Sequence, residues 1–84
     1  MIKFNDVITT NYKHAEIVVV VEDDVITTAK VFVDKECVSC EDITTDKGED
    51  VEFNRENYNK VVDMMKADVD ALWEQAFAVA TANR

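Results

Sequence analysis

The chain has 84 residues, enough for one domain around one modest core. Nine lysines and arginines face 18 aspartates and glutamates, a net charge of −9, which excludes binding to nucleic-acid phosphates or an anionic membrane through a general basic surface. With no proline and one glycine, there is no flexible linker and no Gly-rich phosphate loop.

The opening Met1-Ile2-Lys3-Phe4-Asn5-Asp6 lacks the basic and apolar stretches of a secretory signal. Ile2, Phe4 and Ile8 alternate with polar residues and predict a first strand. The β-branched block Ala15–Val21 predicts a second. Its Ile17–Val21 run of five residues, which no other apolar run exceeds, is far too short to span a bilayer. Val25–Val33 predicts a third strand, Cys37–Thr45 a weaker fourth, and Val51-Glu52-Phe53 a short fifth. Asp23-Asp24 suits a two-residue turn, and Asp46-Lys47-Gly48 a type I turn closed by a left-handed glycine. Links this short imply an antiparallel meander. Asp6-Val7-Ile8-Thr9-Thr10 recurs as Asp24-Val25-Ile26-Thr27-Thr28 and, shortened, as Asp42-Ile43-Thr44-Thr45. Ile-Thr-Thr is ordinary half-buried strand, so the echo is read as strand composition and not as a repeat architecture.

From Asn54 the apolar period changes from 2 to 3.6. Asn54 is a good N-cap, and Phe53 and Tyr58 stand where a hydrophobic staple needs them. Tyr58, Val61, Val62, Met65, Val69, Leu72, Trp73, Ala76 and Ala80 then share one face, with no Gly or Pro before Ala82. Such a helix is ~43 Å long and an eight-residue strand ~27 Å, so the helix either overhangs the sheet or bends near Lys66-Ala67-Asp68. The fold expected is α+β in a single domain, residues 1–84. Residues 1–53 give a four- or five-stranded antiparallel β-meander, and 54–82 one long C-terminal α-helix packed on the sheet.

Little in the chain carries chemistry. Cys37-Val38-Ser39-Cys40 is half a zinc site at most, because His14 and carboxylates are the only other ligands. A redox pair belongs at a helix N-terminus, whereas this context is strand-like and sends residues i and i+3 to opposite faces. Two thiols in so small a chain fit reduced cysteines in the cytoplasm better than a secreted disulfide scaffold. His14, beside Lys13 at a turn, has no nucleophile spaced to meet it. Asp42, Asp46, Glu49, Asp50 and Glu52 do not follow the spacing of a calcium loop. The expectation is a non-enzyme with no cofactor and no metal.

Charge is more informative. Residues 1–53 hold 13 acids and 5 bases, and residues 54–84 hold 5 acids and 4 bases. Within the strand half, Glu41, Asp42, Asp46, Glu49, Asp50 and Glu52 concentrate the negative charge and are the candidate partner-binding residues. Glu56, Asp63, Asp70 and Glu74 form a thinner stripe along the helix. An electronegative face of this kind steers toward a basic partner. The apolar surplus lies elsewhere. If Ile17, Val19 and Val21 face the helix, Val18 and Val20 lie on the other side with Val25, Ala29 and Val31, and the helix end carries Leu72, Trp73 and Phe77. Val18, Val20, Leu72, Trp73 and Phe77 are therefore the candidate interface of a homodimer.

An acidic chain under a hundred residues, laid out as a meander and then a C-terminal helix, resembles the small phage-encoded inhibitors of host defence such as anti-CRISPR proteins. The resemblance covers the layout of the whole chain and no shared motif, so it transfers no catalytic residue. It implies a protein-binding inhibitor, acting in the host cytoplasm, whose acidic surface stands in for phosphate on a basic nucleic-acid-handling complex, with no direct contact to nucleic acid or membrane. The alternative is a small structural or assembly protein that forms homo-oligomers through the apolar helix end and second sheet face.

Overall fold

A computed structural model describes the backbone of residues 2–82 and the side chains of residues 2–74. Five strands precede one helix: β1 (Asp6–Tyr12), β2 (Ala15–Glu22), β3 (Val25–Val33), β4 (Glu36–Asp42), β5 (Val51–Glu52) and α1 (Arg55–Ala82). The sheet order is β1-β2-β3-β4 with every pairing antiparallel, the expected α+β meander with its long C-terminal helix. The turns on either side of β3 work without glycine. Asp23 and Asp24 (φ 51° and 63°) and Asp34 and Lys35 (φ 51° and 69°) adopt left-handed backbone in two-residue hairpins, the conformation that matches strand twist.

One expectation about the strands is corrected. The first strand starts at Asp6, after Ile2 and Phe4; Ile2 is 98% exposed. Phe4 has a different task, pairing its backbone with Asp24 (Asp24 N to Phe4 O, 3.0 Å) and stacking its ring 5.0 Å from Phe53. The short fifth strand is present at Val51–Glu52, as expected. β5 pairs with Val25 and Ile26 of β3, on the edge that β4 already lines, so β4 and β5 are one edge interrupted by residues 43–50.

A bulge changes the sorting of apolar residues. Val20 pairs with Thr28 but Val21 pairs with Ile26, leaving Thr27 as an extra residue. That slip moves Ala29 and Val31 from the second sheet face, where strict alternation put them, to the helix side, opposite Val19 and Ile17. The core is therefore Ile17, Val19 and Val21 of β2, Ile26, Ala29 and Val31 of β3, and Ile43, closed by Val61, Val62, Met65 and Val69 of α1. The open face is left with Val7, Val18, Val20 and Val25 among Thr9, Thr28, Lys30 and Phe32, more polar than the sequence pattern implied.

The helix begins as expected. Asn57 N donates to Asn54 Oδ1 at 2.8 Å, and Phe53 meets Tyr58 edge-on at 6.0 Å. It runs unbroken for 28 residues, ~42 Å at 1.5 Å per residue, so the alternative that holds is overhang. The molecule is 59 Å long and 27 Å wide. Two cross-links fix the helix to β1: the hydroxyls of Thr10 and Tyr58 lie 3.0 Å apart, and Tyr12 donates to Asp70 at 3.1 Å. Lys13 also pairs with Asp70, which lowers the aspartate pKa below its usual range and raises that of the lysine. A depressed carboxylate contributes stability above its unfolded pKa and loses it as pH falls through the folded one. Asp70→Asn should therefore lower the melting temperature slightly at neutral pH. The gap should close in thermal melts taken below the ordinary aspartate range of about 3.9. A gap that persists in acid would assign the effect to packing.

Candidate protein-binding surface

The six acids singled out in the sequence, Glu41, Asp42, Asp46, Glu49, Asp50 and Glu52, are all exposed. They are held by a closed loop and not by a free hairpin. Thr44 and Asp50 form an isolated antiparallel bridge, Thr45 N donates to Glu49 O at 2.8 Å, and Gly48 N donates to Thr45 O at 2.8 Å. The Thr45 hydroxyl accepts from Glu49 N at 3.0 Å. Gly48 has φ 79°, and a Cβ there would meet nothing within 4 Å, so the residue is required by backbone conformation and not by space. Asp46, Glu49 and Asp50 thus project from an ordered loop beside the sheet edge.

The fold brings further acids to this end that a linear reading missed. Asp6 pairs with Val21 where β1 begins, Glu22 closes β2, and Asp23-Asp24 make the turn into β3. Phe53 N donates to Asp24 O at 2.7 Å, which joins that turn to β5 and Glu52. The signal was present in the echo of Asp6, Asp24 and Asp42. β1 and β3 both start at this end and β4 finishes near it, so a spacing of one strand out and one strand back returns each aspartate to the same place. Among the described residues the ion pairs are Lys13–Asp70 and Lys60–Glu56. Among the described residues none of the acids at this end is paired with a cation. The expected helix stripe is weaker, because Asp70 is committed to Tyr12 and Lys13.

The residues expected at an oligomer interface are not brought together. Val18 and Val20 are half-buried on the open face of the sheet, whereas Leu72 (38% exposed) and Trp73 (52%) belong to the helix on the other side. The Phe77 side chain lies outside the described residues. Leu72 and Trp73 do border an apolar cleft of about 250 Å³ with Val33, Val38 and Val69. His14 stands at its mouth, its ring 5.5 Å from Trp73.

The cysteines require a correction. Phe32 pairs with Cys37 and Val31 with Ser39, so Val38 is the extra residue of a second bulge. Cys37 and Cys40, opposite Phe32 and Lys30, therefore share the open face instead of splitting between faces. Both are free and exposed. Among the described residues no group of three His, Cys, Asp or Glu side chains converges to hold a metal ion. The double substitution Cys37→Ser, Cys40→Ser should fold as before, with a change within about 0.5 kcal/mol in urea unfolding. Stoichiometric zinc in protein purified without chelator would contradict this reading of the pair. Among the described residues no helix is long and apolar enough to cross a membrane.

Compared with known proteins, the chain matches no family model, no curated protein and no solved structure.

Proposed function

We infer that the protein is a non-enzymatic, acidic protein-binding inhibitor. Its acidic sheet end occupies the basic surface of a nucleic-acid-handling partner in the reducing cytoplasm, as anti-CRISPR proteins of phage do in their hosts. One observation carries the reading: acids from β1, the β2–β3 turn, the 43–50 loop and β5 gather at one end with no pairing cation among the described residues. Like charges so placed repel, and a basic partner relieves that repulsion as it docks. The ordered loop holds its carboxylates in place before binding, which limits the entropy lost on association. The test is affinity capture of the partner from lysate, its identification by mass spectrometry, and then competition. The protein should displace nucleic acid from the partner in stoichiometric amounts. A captured partner whose nucleic-acid binding is unaffected would overturn the inhibitor reading.

A second reading, self-association as a homodimer, is favoured by the exposure of Leu72 and Trp73 beside the apolar cleft. Light scattering at tens of micromolar separates it: a dimer supports this contact, and a monomeric mass removes it.

A further inference from the structure

β4 is an edge strand. Its inner side pairs with β3, and among the described residues its outer side has no partner strand. The opposite edge, β1, is fastened to α1 through Thr10–Tyr58 and Tyr12–Asp70. β4 has no such fastening among the described side chains, and six of its seven residues are exposed. Between β4 and α1 lies a groove of about 250 Å³ lined by Val38, Ser39, Glu41, Asp68, Ala71 and Leu72. One carboxylate oxygen of Asp68, Oδ2, is buried without a hydrogen-bond partner. Asp68 as a whole is half-buried, and a donor that reaches Oδ2 completes its hydrogen bonding. Glu41 adds a second carboxylate to the same wall, while Val38, Ala71 and Leu72 supply apolar surface.

From this juxtaposition we propose that the outer edge of β4 accepts an extended basic segment of the protein partner as an added strand. The backbone of that segment completes the free hydrogen bonds of the edge. One Lys or Arg side chain lays its aliphatic stem on Val38, Ala71 and Leu72 and brings its cation to Asp68 and Glu41. The apolar cleft beside Trp73 shares Val38 and Leu72 with the groove. Side chains of an added strand alternate between its faces, so an apolar side chain two positions from the cation fills the cleft. The segment recognised thus carries a Lys or Arg two positions from an apolar residue. The proposal rests on the reading of a basic partner and gives that partner a docking mode.

The test selects binders of the full chain from a displayed library of random twelve-residue peptides. Enriched peptides should carry Lys or Arg two positions from an apolar residue, and their binding should slow hydrogen exchange of β4 amides. Asp68→Asn and Glu41→Gln, both shape-conserving, should each weaken such a peptide about tenfold or more. Val38→Lys, which places a cation in the groove, should abolish binding. Failure to enrich basic peptides, unchanged affinity in all three variants, or protection confined to other strands would overturn the proposal. Reversal of Asp46, Glu49 and Asp50 to Lys separates the two claims. If captured partner is lost by the reversal but not by the groove variants, the acidic end binds and the groove does not.

Discussion

Met65→Ala is expected to destabilise the protein by about 2–5 kcal/mol, the usual cost of truncating a fully buried methionine and leaving a cavity. Met65 is 0% exposed and belongs to the single helical layer that closes the core formed by β2 and β3. A chain of this length has a total stability of about 4–13 kcal/mol, so the loss removes much of it. Urea unfolding followed by circular dichroism measures the effect. Met64→Ala, one residue away at 40% exposure, is the matched comparison and should change stability by less than about 0.5 kcal/mol. Equal effects at the two positions would mean that α1 does not pack through the face described.

Reversal of Asp46, Glu49 and Asp50 to Lys is expected to slow association with the captured partner about tenfold or more. All three are exposed, and the bonds that shape the loop run through Thr45, Gly48 and the backbone of Glu49. The fold should therefore survive, with an unchanged far-ultraviolet spectrum. Reversal of Asp63 and Glu74 on the helix is the comparison, since both are exposed and lie away from the loop. If the two reversals weaken binding equally, net charge and not the placement of the loop governs association.

The architecture was legible because its local signals agree with its tertiary outcome. The Ala15–Val21 block, the Asp23-Asp24 turn, the Asn54 cap and the 3.6-residue period from Tyr58 each specify an element independently, and the structure assembles them as read. What alternation could not reveal was the bulges. Each inserts one residue, at Thr27 and at Val38, and each reverses the face of everything beyond it. Ala29, Val31 and the second cysteine were misplaced for that one reason. The acidic segment was visible as a run of charge. Asp6, Glu22, Asp23 and Asp24 were not, because only pairing of β1, β2 and β3 brings them beside Glu52. The groove at Asp68 has no sequence signal at all, since it arises where a helix residue meets the free edge of β4.

The salt dependence of association between the full chain and its captured partner tests the central claim most directly. Docking through unpaired carboxylates predicts that the association rate falls steeply as ionic strength rises, because exposed charges are screened beyond a Debye length of about 8 Å at 0.15 M. The Asp46, Glu49, Asp50 reversal should flatten that dependence. An association rate unchanged by salt, or the same slope in the reversed protein, would contradict the account and assign the charge to solvation alone.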